Sequence, residues 1–336
     1  MTALRTKVGA LALALAAGGA IWGFGPWHGD SATSAADTCN GALAVREAEE
    51  FFQGAELEFR GNTAEWMGHE TQHCAAWADG DSSIGKQLKL NIRPASAHRA
   101  SGAAEDSSAT PIGHGWNGSF STTGLQTQAG VLIDCAPMAG KGLLVLAEIS
   151  REAEELTDSQ VLQVARLATE SARLAAERLG CEGKLGQRPA AVDRTPWQNR
   201  PAAQASGTCR DVVDVQEAAR LRITSVSEKP AGRALTEACT LPLPGKNRHV
   251  RLSAYYGPSA QQEMYLDDRY PGSVNGAVMR SQHCAGGLGT AYFKFEEFPR
   301  PDAAKKIRTT VASGDARRLL TAFAAASTTR HGCPTD

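Results

Sequence analysis

The spacing of apolar positions predicts strands in two separate parts of the chain. Apolar residues alternate with polar ones at 88–92 and again at 250–256. A period of two is typical of a strand that buries one face. Each alternating segment is followed, about fifty residues later or less, by a more continuously apolar run, at 143–149 and 291–298. These runs predict more deeply buried strands.

Apolar positions three and four apart predict a long helix near the end of each part. Between 157 and 179 they fall on one face, and Thr157 has the side chain of a helix N-cap. A similar pattern runs from 307 to 323, although residues 313–315 interrupt it. Shorter helices are predicted at 47–52 and 212–221.

The positions of eight cysteines indicate that these two parts are an internal repeat. The first copy contains Cys39, Cys74, Cys135 and Cys181, and the second contains Cys209, Cys239, Cys284 and Cys333. In both copies the first cysteine precedes a helix, the second an alternating strand, the third an apolar strand, and the fourth follows the closing helix. A repeat of this length is a whole domain. The chain is therefore predicted to be an α+β protein of two tandem related domains, each an antiparallel sheet covered by helices on one face and stapled by two disulfides.

Composition places the domain boundaries. Residues 184–206 contain three prolines among Ala, Gln and Arg, which is typical of a semi-extended linker. The predicted domains are therefore residues 31–183 and 207–336. Residues 95–117 of the first copy form a long polar loop, which is interpreted as a solvated insertion.

Residues 1–30 predict export. Arg5 and Lys7 precede an uncharged, apolar stretch from 8 to 27. This is the layout of an export signal, and about twenty apolar residues also suffice to span a bilayer as a hydrophobic helix. The small residues at 34–36 fit a cleavage site but lie well beyond the apolar run, so a retained signal anchor is favoured. We expect a single-pass membrane protein with its domains outside the cytoplasm; the alternative is a secreted protein.

An even number of cysteines in an exported chain predicts a disulfide framework. Four cysteines in one domain allow three pairings, and we expect neighbours to pair. The reason is that each first cysteine opens a helix that must dock on the adjoining hairpin, and each third opens the strand on which the closing helix packs. The predicted bonds are Cys39–Cys74, Cys135–Cys181, Cys209–Cys239 and Cys284–Cys333.

Charge and aromatic content argue against nucleic acid as a partner. The formal net charge is -1 and aromatic residues make up 6% of the chain. Phosphate binding needs clustered Lys and Arg, and single-stranded nucleic acid needs aromatic stacking platforms.

The sharpest chemical motif is His69-Glu70-Thr71-Gln72-His73, which matches the zincin pattern. That pattern binds zinc only on a helix, where the two imidazoles lie on one face. The corresponding segment of the second copy reads as a hairpin, which predicts a strand here as well. On a strand the two histidines would lie roughly 13 Å apart, too far to share a metal. We therefore predict no catalytic, cofactor or metal residues, and keep a zinc-dependent hydrolase using this motif as the alternative.

Two weaker patterns were also considered. Gly80-Asp81-Ser82 is similar to the nucleophile motif of some serine hydrolases but falls in a predicted turn. The pairs Asp267-Asp268 and Glu296-Glu297 could bind calcium. Adjacent residues on a strand point to opposite faces, so in the second pair we expect one solvated and one loop-facing carboxylate.

The order of Cys39, a helix, Cys74-Ala75-Ala76-Trp77 and an alternating strand, with Leu179-Gly180-Cys181 at the close of the repeat, resembles a known group. These features are similar to those of uncharacterised actinobacterial exported or membrane-anchored proteins with two four-cysteine repeats. The resemblance implies the location and the fold class, and brings no activity with it. We expect a non-enzymatic module of unknown activity that contacts the membrane through its N-terminal helix. It either binds a protein, glycan or small ligand of the envelope or has a role in envelope assembly. A ligand surface shared by the copies should recur at equivalent positions.

Overall fold

The computed structural model describes residue 34 and residues 37–66, 69–78, 86–96, 109–123, 126–151, 156–244, 248–270, 277–298 and 311–334. The hydrophobic segment at 1–30 lies outside the described residues, so the predicted N-terminal helix stays a prediction. Within the ranges above, no helix is both long enough and apolar enough to cross a membrane.

The first half of the chain forms a seven-stranded sheet in which all neighbouring strands are antiparallel. The strands, in chain order, are β1 (Leu57–Trp66), β2 (His69–Ala78), β3 (Lys86–Pro94), β4 (Thr110–Pro111), β5 (Asn117–Thr123), β6 (Gln126–Asp134) and β7 (Gly142–Arg151). Their order in the sheet is β1-β2-β3-β7-β6-β5-β4. Helices α1 (Val45–Phe51) and α2 (Asp158–Leu179) pack together, and α2 lies on β6 and β7.

Local sequence explains both ends of α2. Thr157 forms a capping box with Gln160: each side chain bonds the backbone N–H of the other residue. The helix stops at Gly180, whose φ of 64° is in the left-handed region. Between them, a stripe that includes Val161, Val164 and Leu167 is buried against the sheet. The predicted N-cap at Thr157 is confirmed.

The second half forms a six-stranded antiparallel sheet. Its strands are β8 (Gln198–Pro201), β9 (Ser225–Glu228), β10 (Thr236–Pro242), β11 (His249–Tyr256), β12 (Val278–His283) and β13 (Thr290–Phe298), in the order β12-β13-β11-β10-β9-β8. Its helices are α3 (Val215–Leu221), α4 (Pro258–Arg269) and α5 (Ser313–His331).

The two sheets contain the same five-stranded framework. The order β1-β2-β3-β7-β6 in one corresponds to β9-β10-β11-β13-β12 in the other. The register agrees as well, since Cys74 lies opposite Leu90 in the first half and Cys239 lies opposite Leu252 in the second. The prediction of an α+β fold with two related antiparallel sheets is therefore confirmed.

The disulfides occupy equivalent places in both halves and join the predicted pairs. They are Cys39–Cys74, Cys135–Cys181, Cys209–Cys239 and Cys284–Cys333. In each half one bond ties the start of the repeat to its second framework strand. The other ties the residue after β6 or β12 to the residue just beyond the closing helix.

The two halves pack against each other. Leu132 and Leu144, from the first sheet, belong to the hydrophobic core of the second half. Next to them the Gly287 N–H donates to Asp134 Oδ1 over 2.7 Å. A Cβ on Gly287 would lie 2.9 Å from the Cα of Gly142, so only glycine allows this approach. The first sheet is thus partly covered on the face opposite its helices, which differs from the predicted one-sided cover. The predicted domain boundaries stay a prediction.

Three segments differ from the sequence predictions. Residues 313–315, expected to interrupt the last helix, are instead the first residues of α5. Within the predicted linker, β8 joins the second sheet by pairing with β9. In the predicted solvated loop, Trp116 is buried and its Nε1 donates to Gln187 O over 2.8 Å. Gly186 lies against the Trp116 ring, so the start of the linker packs onto the first half.

Candidate functional site

The zincin-like motif lies on a strand, as predicted. Residues 69–78 form β2, so His69 and His73 are separated by four residues of extended backbone, roughly 13 Å. The His73 ring already has partners, with Nδ1 2.9 Å from Asn91 Nδ2 and Nε2 3.2 Å from Thr71 Oγ1. Partial burial, and then the charge of Arg93, lower the pKa of His73. The motif therefore lacks the helical geometry that a zincin needs.

Metal ligands do not converge elsewhere in the described part of the chain. Within those ranges, no three His, Cys, Asp or Glu side chains are grouped so that they could hold a metal ion. The Gly80-Asp81-Ser82 motif lies outside the described residues.

The Glu296-Glu297 pair differs from the prediction. The two residues do alternate along β13, but both are buried, so neither is the solvated carboxylate that was expected. Glu297 accepts a hydrogen bond from Arg248 Nη2 over 2.9 Å. The reason is that β13 is an inner strand of the sheet and has a helix on each of its faces.

Those two helices are α5 and α4. On one face of β13, Phe293 packs edge-on against Tyr256, whose hydroxyl bonds Ser327 of α5. On the other face, Tyr292 and Lys294 point toward α4, because side chains alternate along a strand. Helix α4 starts sharply, since Pro258 at its first position is pre-set for a helix.

A buried ion cluster fastens α4 to the sheet. The Lys294 side chain is only 4% exposed, and its Nζ donates to Asp267 Oδ1 over 2.8 Å and to Glu263. The Tyr292 hydroxyl donates to Asp267 Oδ2 over 2.9 Å and lies 2.7 Å from Met279 Sδ. Asp267 belongs to one of the acidic pairs that the sequence suggested for calcium. Its two carboxylate oxygens instead accept hydrogen bonds from the Lys294 ammonium and the Tyr292 hydroxyl.

The protonation states suit this role. Burial alone would lower the pKa of Lys294, but its bonds to Asp267 and Glu263 outweigh burial and raise that pKa. Burial, together with the Asp267 carboxylate, raises the pKa of Tyr292. At neutral pH the lysine is thus charged and the tyrosine is a donor. The arrangement can anchor a helix.

The exposed large apolar side chains on α4 and on the nearby strand β12 make up what we call the α4 patch. It consists of Met264, Tyr265 and Tyr270 at the end of α4 and Met279 on β12, each between 38% and 53% exposed. These are four of the five large apolar side chains that are exposed in the described part of the chain. The fifth, Val215, stands apart at the start of α3.

Arg269 orders this patch. Its guanidinium lies 5.8 Å from the ring centroid of Tyr265 and 5.6 Å from that of Tyr270. Its Nη1 also donates to the Tyr265 hydroxyl over 2.6 Å. Tyr, Met and Arg are the residue types enriched where protein surfaces meet. The chemistry of the α4 patch is therefore that of a protein interface.

Sequence reasoning missed both α4 and the patch. The available signal was Gly257-Pro258 followed by strong helix formers at 261–264, a start motif that precedes a stretch without clear apolar period. Between β3 and β6, the described part of the first half has β4 and β5 in the place of α4. The patch consequently has no counterpart there, contrary to the expectation of a surface shared by both copies.

No family model, no curated protein and no solved structure matches this chain. The site is therefore interpreted from its own geometry.

Proposed function

We propose that this protein is a non-enzymatic binding module that is held at the outer face of the membrane by residues 1–30 and binds a partner protein through the α4 patch. The observation that carries the proposal is that the exposed Tyr265 and Tyr270 lie together against the Arg269 guanidinium. The exposed Met264 is next to Tyr265 on the same helix, and the exposed Met279 contacts Tyr292, which bonds Asp267 of that helix. Soluble proteins seldom expose grouped large apolar side chains unless something binds them.

Rigidity supports binding at this place. The Lys294 cluster fixes the base of α4, and Arg269 fixes the two tyrosine rings above it. A surface that is ordered before binding loses less conformational entropy when a partner arrives. Tyrosine and arginine are also frequent among the few interface residues that dominate binding energy.

Four disulfides support the compartment. Such bonds persist in oxidising surroundings outside the cytoplasm and are rare within it. The anchor can be tested separately by mass spectrometry of the protein from its native host. An intact N-terminus in the membrane fraction is expected, and a mature chain starting near Asp37 in the culture supernatant would refute the anchor.

The binding role is tested by quantitative affinity purification of the full-length tagged protein from native membranes. The patch variant is Tyr270→Ser with Met279→Ser, and the matched control is Val215→Ser, which removes an exposed apolar side chain elsewhere. We expect at least one protein to copurify with wild type and control and to fall by tenfold or more with the patch variant. Equal recovery with all three forms would contradict the proposal.

A further inference from the structure

A cavity of about 310 Å³ lies at the far edge of the second sheet from the α4 patch. It is open on one side and is lined by the end of the predicted linker, β8, the turn before Cys209 and the segment after β9. Its polar side chains include Asp193, Thr195, Gln198, Arg200, Glu228 and Lys229. Its volume is near the lower limit of small-molecule sites, about 300 to 1,000 Å³.

The buried Glu228 carboxylate lines the cavity, and its charge is balanced by neighbouring protein groups. Glu228 is 2% exposed, and it accepts hydrogen bonds from the backbone N–H of Ser206 over 3.0 Å and of Cys209 over 3.2 Å. Arg200 Nε lies 3.5 Å from Glu228 Oε1. The charge of this glutamate is thus neutralised within the protein.

The walls are held in place before any ligand arrives. The Cys209–Cys239 disulfide ties the turn to β10, and Thr208 Oγ1 donates to Ala238 O over 2.6 Å. A Cβ on Gly207 would lie 2.1 Å from Lys229 O, so only glycine permits this close turn. A ligand would therefore meet a preorganised site.

The rim offers hydrogen bonds and no net charge. Asp193 and Glu228 balance Arg200 and Lys229, and Gln198, Thr195 and Ser206 add amide and hydroxyl groups. No aromatic and no large aliphatic side chain is among the residues that line the cavity in the described part of the chain. An apolar ligand would desolvate these polar groups without pairing them, which is costly. A strongly charged ligand would gain little from a lining whose charges cancel.

We infer that this cavity binds a small, uncharged, polyhydroxylated molecule, the chemistry of a sugar unit. Hydroxyl groups both donate and accept, so they can pair with the carboxylate, guanidinium and amide groups of the rim. The inference does not depend on the α4 patch, which lies at the opposite edge of the sheet. Either site can fail its test without affecting the other.

The test is ligand-observed NMR and calorimetry on the full-length protein in a detergent without a sugar headgroup. The probes are glucose, galactose, mannose, N-acetylglucosamine and maltose, with acetate and glycine as charged and zwitterionic comparisons. The cavity variants are Gln198→Leu and Thr195→Val, and Gln216→Leu on α3 is the matched control. We expect at least one sugar to bind, with affinity reduced about tenfold in either cavity variant and unchanged in the control, since one lost hydrogen bond of about 1.4 kcal/mol is a tenfold effect.

Thermal unfolding of each variant identifies any that fails to fold. Gln198→Leu removes the hydrogen bond that Arg200 Nε donates to Gln198 Oε1 over 3.1 Å, whereas Thr195→Val keeps it, so Thr195→Val then decides. Binding of no sugar, equal binding by the cavity variants, or preference for acetate or glycine would each overturn the inference.

Discussion

The two halves share a framework and differ in what they place on one of its faces. Leu146 on β7 and Lys294 on β13 occupy equivalent positions. Leu146 precedes the residue that pairs with Leu90 of β3, and Lys294 precedes the residue that pairs with Leu252 of β11. In the first half this position holds a partly buried apolar side chain beside the contact with the second half. In the second half it holds a buried lysine that fastens an added helix.

This difference shows which parts of the fold are constrained by the repeat. The disulfides and the helix-covered cores correspond position by position. The opposite face is free to diverge: one copy uses it to pack against the other, and the other copy covers it with α4 and so acquires an exposed aromatic surface. The shared framework is thus the scaffold, and the candidate binding surface is present on one half of the described chain only.

The largest expected effect comes from removing the Lys294 ion cluster, which only the second half contains in the described part of the chain. Lys294→Leu introduces the residue of the first half and leaves the buried Asp267 carboxylate and the partly buried Glu263 carboxylate without their cation. Removing one partner of a buried ion pair costs about 3–5 kcal/mol, so we expect a loss of that size in the free energy of unfolding measured in urea. Leu146→Met, a volume-conserving change at the equivalent position, should cost less than about 1.5 kcal/mol.

A further variant separates charge from packing. Adding Glu263→Gln and Asp267→Asn to Lys294→Leu removes the unpaired charges and should recover part of the lost stability. If Lys294→Leu alone is as stable as wild type, the cluster does not fasten α4.

Removing the second disulfide of either half should cost slightly less stability than Lys294→Leu. The loss should be the same in both halves. Its cysteines are 46 residues apart in the first half and 49 in the second. Loops of similar length restrict the unfolded chain similarly, so replacing Cys135 and Cys181, or Cys284 and Cys333, by serine should cost about 3–4 kcal/mol in each case. Urea unfolding of the two double variants tests this, and a loss confined to one half would show that the framework is not energetically equivalent.

The pH dependence should also differ between the halves. His331 is buried in the second half, near Glu237 and Arg330 and stacked on Tyr256. Burial lowers the pKa of His331. Glu237 and the carbonyl oxygens of Ser327 and Ala234, which lie 3.0 and 2.9 Å from its two ring nitrogens, act in the opposite direction. The unfolded chain therefore binds a proton at residue 331 more readily than the folded chain does. The contribution of His331 to the free energy of unfolding is present in full above about pH 6.5 and decreases as the pH falls below that value.

The test is the free energy of unfolding between pH 7.5 and 5.5. We expect a decline in wild type that is smaller in His331→Gln. In the first half the pKa of His73 is also lowered, but this residue lies at the surface and only part of its ring is buried. The His73→Gln variant should therefore lose almost as much stability between pH 7.5 and 5.5 as wild type does. Stability that increases toward pH 5.5 would contradict the direction of the shift at His331.

The smallest expected effect is at the motif that only the first copy contains. With residues 69–73 on a strand, Glu70→Gln should change neither stability nor metal content, and the purified protein should hold no stoichiometric zinc and cleave no peptide. Metal analysis and a peptide-library assay check this. One tightly held zinc per chain, with peptidase activity lost in Glu70→Gln, would show that the zinc hydrolase alternative is correct.

Periodicity and local chemistry were sufficient for the framework. The alternation at 88–92 and 250–256, the apolar runs before each closing helix and the Thr157 cap all correspond to observed elements. The cysteine pairing was also predictable, because each pair joins elements that are neighbours along the repeat.

The candidate site could not be predicted in the same way. The apolar run at 291–298 predicts a deeply buried strand, but the sequence does not show which groups neutralise the one lysine within it, Lys294. Its burial depends on α4, which arrives from residues 258–269 and has a polar surface with no strong helical period. Tertiary contacts of this kind are decided by charges meeting across elements, and a single sequence does not show which charges meet.

The central claim is that a partner protein binds the α4 patch, and site-specific photo-crosslinking in native membranes tests it most directly. A photoreactive phenylalanine derivative is placed in turn at Tyr265, at Tyr270 and, as a control, at Val215, which is more exposed than either tyrosine. Both patch positions should crosslink to the same partner protein, with the crosslinked peptide identified by mass spectrometry, and Val215 should not. Crosslinks that are absent from the patch, equally frequent from Val215, or formed only to a second copy of this chain would contradict the claim.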